Sequence, residues 1–289
     1  MRKIIYSILI LLLFATITFM FPLSKLTIFD EIQFLHKNEP QYIYHEKEQT
    51  TFSSRCYTTN AQIPPFTRKQ IKFLVWNIHK GQDKGWQQAL KQYSHNADFI
   101  LLQEATNQQN LPFLFSKMYP TQLFASAFSY KNTLSGVAIL STVAPYYYCA
   151  GSAVEPWIQI PKVGLAAAYP LINNQSLLVI NLHLVNFEWI PTNYRKQLEE
   201  AMKLIAEHQG PIILAGDFNS WNKERLTLLT RLAKHYNLEE VKYKKDMRLK
   251  FNNNPLDHIF IRGVNVISAT TELTLSSDHN PLFITIEIK

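Results

Sequence analysis

Eight polar side chains in this sequence stand beside short apolar runs, and their types define the chemistry open to them. Asn77 follows Phe73-Leu74-Val75-Trp76, Glu104 comes just after Ile100-Leu101-Leu102, and His183 comes after Val179-Ile180. Asp217 and Asn219 follow Ile212-Ile213-Leu214-Ala215, Asp257 precedes His258-Ile259-Phe260-Ile261, and Asp278 with His279 precedes Pro281-Leu282-Phe283-Ile284. Taken singly, each is more readily a turn former, a cap or a hydrogen-bonded core residue. Taken together they are carboxylates and amides without clustered cysteines, the donors that suit Mg2+ or Mn2+. Imidazoles that titrate near neutral pH join them. A phosphoester hydrolase needs these parts: a cation on the phosphoryl oxygens, a group that orients or deprotonates water, and groups that stabilise the transition state and the leaving oxygen.

For the set to act as one, the apolar runs must be strands whose ends converge on one rim of a sheet, where sites tend to lie. Strands are predicted at 71–76, 99–102, 137–140, 165–169, 177–182, 212–215, 258–261 and 282–288, and helices at 86–93, 193–208 and 225–236, where the apolar spacing changes to 3.6. Many strands with intervening helices, and no Gly-rich phosphate loop, indicate an α/β layered sandwich.

The chain has 289 residues, 47% of them hydrophobic, which suits a sizeable core and excludes a largely disordered protein. A net charge of +7 suits an anionic partner such as a phosphate ester, nucleic acid or acidic lipid, and ordinary surface charge accounts for it equally well. Residues 4–23 form an uncharged apolar run after Met1-Arg2-Lys3, long enough to span a bilayer and without a clear small-x-small cleavage site. The expectation is an uncleaved single-pass anchor rather than a signal peptide, with the main domain on the non-cytoplasmic (periplasmic or extracellular) side. Residues 24–68, polar and containing Pro40, Pro64 and Pro65, read as a linker or ordered arm, and 69–289 as the catalytic domain. Cys56 and Cys149 are either one disulfide, if the domain lies outside the cytoplasm, or two buried thiols.

The ordered series WNIHKG (76–81), LLQE (101–104), NLHLVNF (181–187), LAGDFNS (214–220), PLDHIF (255–260) and SSDHNPL (276–282) resembles the endonuclease/exonuclease/phosphatase superfamily over residues 70–289. The segments around VNF and LDHIFIRG are similar to those of uncharacterised bacterial membrane-associated members. The resemblance implies a deoxyribonuclease/sphingomyelinase-like fold: a four-layered α/β sandwich of two mainly antiparallel sheets packed face to face and flanked by helices, here preceded by one transmembrane helix. It implies Mg2+ or Mn2+ as cofactor, with Glu104 as the principal metal carboxylate, Asn77 supporting the metal site and Asp278 an acid of that site or one that positions water. It further implies that Asp217 and Asn219 align water and contact phosphate, that His279 meets the scissile phosphate while Asp257 orients it, and that His183 aids the leaving group. Residues 132–136 hold no carboxylate of the kind that orients this last histidine in deoxyribonuclease-like relatives. His258, next to Asp257, should point away from it by strand alternation and so pack in the core.

Lys162 and Arg195, near the motifs, are candidate substrate contacts or surface salt-bridge partners. The basic stretch KYKKDMRLK (242–250) would track a polyphosphate, meet an anionic membrane, or simply be solvated. Tyr146, Tyr147 and Tyr148, and the group Phe187, Trp189 and Trp157, would stack on bases, sit at a lipid interface or pack in the core. The first expectation is a monomeric, metal-dependent phosphodiesterase or endonuclease; the second is a membrane-associated phospholipid or phosphoinositide phosphoesterase. A non-catalytic binding protein on the same fold is third, and the presence of all eight residues speaks against it.

Overall fold

The structure, a computed structural model, describes residues 25–37, 43–45, 53–115 and 117–289. The expected anchor, 4–23, lies outside the described residues, among which no helix is long and apolar enough to cross a membrane.

In chain order the strands are β1 (Leu26–Lys37), β2 (Ile43–His45), β3 (Ser53–Thr58), β4 (Gln70–Asn77), β5 (Phe99–Thr106), β6 (Thr121–Tyr130), β7 (Thr133–Ser141), β8 (Tyr147–Val154) and β9 (Pro161–Pro170). They continue as β10 (Ser176–His183), β11 (Ile212–Asp217), β12 (Glu239–Glu240), β13 (Lys250–Phe251), β14 (Asn254–Pro255), β15 (Asp257–Arg262), β16 (Val264–Thr271) and β17 (Leu282–Ile288). The helices are α1 (Trp86–Tyr93), α2 (Leu111–Phe115), α3 (Thr192–Glu207) and α4 (Lys223–His235). One sheet has the order β1-β6-β7-β5-β4-β17-β16 and the other β12-β15-β11-β10-β9-β8-β3-β2, and β13-β14 is a small separate ribbon.

Both sheets are mixed and mainly antiparallel. The parallel pairs are β4–β5, with α1 in the crossover, and β10–β11, with α3 in the crossover. A parallel pair puts both C-terminal ends on the same edge. That is why Asn77, Glu104, His183 and Asp217 can meet.

The apolar runs look continuous because both faces of each central strand are buried. Phe73, Val75, Phe99 and Leu101 point into the space between the sheets, where Leu177, Val179, Ile213 and Ala215 meet them. Their alternates turn outward. Leu74, Trp76, Ile100 and Leu102 pack with Leu90 of α1 and with Leu111 and Phe115 of α2. Leu178, Ile180, Ile212 and Leu214 pack under Leu198, Met202 and Ile205 of α3 and Leu228 and Leu229 of α4. Period-two strands feeding three apolar layers give the layered order helix, sheet, sheet, helix.

The stretch expected as a linker or arm supplies strands to both sheets. β1 is the edge of the first sheet against β6, and β3 with β2 extends the second beyond β8. Cys56 faces Cys149 across β3–β8 and the two form a disulfide, so the first of the two cysteine alternatives is the one present. The bridge spans 93 residues of chain and fastens the arm to the second sheet. Replacing both cysteines by serine is expected to lower the unfolding free energy by about 2–4 kcal/mol. Urea titration measures it, and an unchanged midpoint contradicts the role.

Candidate active site

Three of the polar strand ends stand side by side. Parallel pairing sets His183 beside Asp217, and antiparallel pairing sets Asp217 beside Asp257. Residues level with one another on adjacent strands share a face, so one imidazole and two carboxylates line the same rim. Gly216 makes the approach possible. Its φ is +136°, and a Cβ there would lie 2.0 Å from the carbonyl oxygen of Leu182. The facing sheet contributes Asn77, which donates from Nδ2 to Asp217 Oδ2 at 3.0 Å.

Asp217 is thus buried but surrounded. Its Oδ1 accepts the Asn219 backbone N–H at 2.9 Å, and His279 Nε2 lies 3.8 Å from Oδ2. Burial raises its pKa; the His279 cation opposes the shift and the charge of Asp257 adds to it. His279 donates from Nδ1 to Asp257 Oδ2 at 2.7 Å. Burial alone would lower the His279 pKa, but Asp257 and Asp217 outweigh it and raise it to about 10. The loop carrying this histidine is tied to β4. Trp76 Nε1 donates to the His279 carbonyl, and Ser277 Oγ donates to the Asn77 carbonyl and accepts the His279 N–H.

Glu104 sits where β5 breaks register against β7, with a φ of +53° that swings its carboxylate out of the regular pleat. There it pairs with the Lys80 ammonium. Burial pushes its pKa up, but the nearby cations Lys80 and Lys162 overcome this and hold it low. A charged, partly exposed carboxylate, with the amide of Asn77 ending the neighbouring strand, is an oxygen donor of the type hard divalent cations take. Ligand atoms of Asp217, Asp257 and His279 lie within 4.8 Å of one another, and this buried group could also hold a metal ion. Asp278 stands apart on the exposed rim, its Oδ1 3.9 Å from His79 Nδ1.

Lys162 reaches into the site from β9. Its Nζ is 3.1 Å from His183 Nε2, which in turn is 3.6 Å from Asp217 Oδ2. Burial first, and Lys162 second, lower the His183 pKa. The neutral ring therefore accepts from the ammonium, and Lys162 is the polar partner that fixes His183 Nε2. Arg195 lies on the exposed face of α3, because Tyr194, Gln197 and Leu198 take the buried positions of that turn. It is not among the residues lining the cleft described below. Asn219, with φ +46°, is held by Nδ2 to the Leu184 carbonyl. His258 points to the helical side as alternation requires, bonded to Glu240 and Ser220 and packed against Phe218 and Phe260.

One organising residue escaped the sequence reading. Arg225 of α4 is fully buried, and its guanidinium donates to four carbonyls: Val185 and Asn219 from Nη1, Asn186 and Glu188 from Nη2. It braces the loop after His183 against the loop after Asp217. The available signal was its position: Arg225 occupies the apolar stripe shared by Leu228, Leu229, Leu232 and Ala233.

Glu104, Lys80, Lys162 and His183 form the polar end of a cleft of about 990 Å3. Its walls run on through Phe128, Tyr130, Val163, Ile158, Ile160 and Phe187. With a carboxylate and two lysines at one end of a groove, and the Asp257–His279 pair reached from it through His183 and Asp217, the site has the parts of a phosphoester-processing centre.

Residues 74–279 match the Endonuclease/Exonuclease/phosphatase family, and the chain belongs to it. A UPF0294 protein of Vibrio vulnificus (strain YJ016) is 36% identical over 251 residues, covering 84% of this chain and 88% of that protein. The endonuclease/exonuclease/phosphatase structure from Bacteroides vulgatus is similar with a TM-score of 0.62 at 15% identity, over 77% of this chain and 100% of that one. The D. rerio TDP2 structure complexed with single strand DNA product has a TM-score of 0.56 at 18% identity, over 76% of this chain and 100% of that one. These two likenesses concern the fold.

Two measurements test the site's electrostatics. His279 should keep its proton well above its ordinary value of 6.5 and lose it near pH 10. The stability its pairing supplies is complete below 6.5 and drains away as the pH rises towards 10. NMR titration of labelled histidines should show this, with Asp257→Asn bringing the titration down by several pH units. A wild-type ring that titrates near 6.5 contradicts the pairing. Arg225→Met should cost about 3–5 kcal/mol in urea unfolding, because four buried carbonyls lose their donor; a loss below about 1 kcal/mol would contradict the brace.

Proposed function

We propose that this protein is a divalent-metal-dependent phosphoester hydrolase, in the first place a phosphodiesterase or endonuclease, acting by in-line attack of water on phosphorus. The observation that carries the reading is the His279 ring, held by Asp257 beside the buried Asp217 carboxylate, which lies 3.6 Å from the cleft residue His183. A Mg2+ or Mn2+ ion held by Glu104, with Asn77 supporting that side of the site, would supply positive charge to the phosphoryl oxygens, whereas Asp278 stands too far out on the rim to join it.

The chain's own residues account for the remaining needs. Asp217, with its raised pKa and its lone pairs directed by Asn77 and Asn219, orients the attacking water and takes its proton. His279, whose pKa Asp257 and Asp217 raise, has an Nε2 proton to donate to a phosphoryl oxygen as charge builds there. The new P–O bond forms as the opposite P–O bond breaks. The leaving oxygen then takes a proton from the Lys162–His183 pair, in which the ammonium is the charged member and the imidazole its acceptor.

The DNA product in the D. rerio TDP2 structure supports a nucleic-acid phosphodiester as one substrate class. The apolar cleft walls favour a second, a phospholipid or phosphoinositide. We also propose that residues 4–23 anchor the protein, with the domain on the non-cytoplasmic side as a monomer; the Cys56–Cys149 disulfide supports an oxidising surrounding.

Hydrolysis of bis(p-nitrophenyl) phosphate with Mg2+ or Mn2+ should stop on adding EDTA. His279→Ala and Asp217→Asn should each slow it by about two to four orders of magnitude. Near-normal rates in either variant contradict the roles given. Glu104→Gln should shift the metal titration to higher concentration, and an unmoved titration removes Glu104 from the metal site.

A further inference from the structure

Beside the cleft mouth lies a row of exposed rings and aliphatic side chains that the chemistry does not use. Trp157 and Trp189 are 65% and 67% exposed, and Ile190 is 75% exposed. The rings run on in contact: Trp157 to Trp189 at 6.3 Å, Trp189 to Trp221 at 5.8 Å, Trp221 to Phe251 at 6.3 Å. Ile158 and Phe187, both exposed, join this ridge to the cleft wall. Leaving such a surface to water is costly, yet the loops are held rigidly. Arg225 grips the carbonyls of 185, 186 and 188 and stacks its guanidinium 4.9 Å from the Trp221 ring.

We infer that this ridge is a bilayer-docking surface that seats the cleft mouth at the headgroup level of a membrane. Three observations select lipid over other occupants. Segments 156–160 and 187–191, which carry the most exposed tryptophans, contain no lysine or arginine, and Lys223 and Lys250 flank only the far end of the ridge at Trp221 and Phe251. Their one acid, Glu188, is buried with both oxygens accepting backbone N–H groups of Asn193 and Tyr194. A nucleic acid would need cations here to neutralise its phosphates. The rings also meet at 55°, 89° and 86°, which sets neighbouring planes across one another rather than in parallel steps for successive bases. Tryptophan with isoleucine is the composition of a membrane interface belt.

The third observation is where the chain leaves the described residues. The apolar run 4–23 ends just before Leu26, and Leu26 lines the same cleft. Beside it the backbone N–H of Lys131, a further cleft residue, donates to the Lys25 carbonyl, so two lysines and Tyr130 border that lip. One lip thus begins at the apolar run and carries basic residues for anionic headgroups. The other lip carries the tryptophans. Both would meet one lipid surface, with the cleft between them.

The test uses the full chain reconstituted in vesicles of phosphatidylcholine and phosphatidylglycerol with brominated acyl chains, which quench tryptophan on contact. Strong quenching is expected, falling severalfold in the Trp157→Phe/Trp189→Phe double variant, whose aromatic substitutions at exposed positions should leave the far-ultraviolet circular dichroism unchanged. Weak quenching that is equal in both proteins overturns the docking surface. So does protection of these tryptophans by a single-stranded oligonucleotide when brominated lipid has no effect. The readout needs no turnover, so hydrolysis of bis(p-nitrophenyl) phosphate by the unaltered chain reports separately on the phosphoester chemistry.

Discussion

A carboxylate buried at the meeting point of two sheets governs this structure. An unpaired charge at the position of Asp217 would cost several kcal/mol, and its partners come from separate parts of the chain. Asn77 reaches it from the facing sheet, the Asn219 amide from the following turn, and His279 from the loop before β17. Satisfying Asp217 therefore fixes how the sheets align at this rim, and the same contacts assemble the candidate active site. Gly216 adds a steric condition, since no side chain fits against the Leu182 carbonyl there.

The charges around it form two coupled groups. Asp257 and Asp217 keep His279 protonated on one side. On the other, Lys80 and Lys162 hold Glu104 ionised, and Lys162 helps keep His183 neutral. Lys80 is the direct partner of the Glu104 carboxylate.

Much of this could be read from sequence because the central strands are buried on both faces and end abruptly in polar residues. Asn77, His183, Asp217 and Asp257 were legible for that reason, as were α1, α3 and α4 from their apolar spacing. Other strands were not. β1 carries Asp30, Glu31 and Lys37 and breaks register between Ile28 and Gln33; β16 exposes most of its length; and β8 is built largely of small residues. Such segments are strands through their neighbours, not their own pattern. Glu104 was identifiable by motif, but its left-handed backbone and its lysine partner arise from a bulge that spacing does not reveal. Arg225 drew no reading of its own, and Arg195 read as a substrate contact or a surface partner. Helical phase separates the two, placing Arg225 on the buried stripe and Arg195 on the solvent side. The basic stretch 242–250 is likewise partly spent internally, since Arg248 pairs with Glu240 and Asp246.

The claim on which the functional account rests is that water, directed by Asp217, bonds to phosphorus. Hydrolysis of bis(p-nitrophenyl) phosphate in 18O-labelled water, followed by mass spectrometry of both products, tests it directly. The account predicts one labelled oxygen in p-nitrophenyl phosphate and none in nitrophenol. Label in the nitrophenol, or no metal-dependent hydrolysis of any phosphodiester offered, would contradict it.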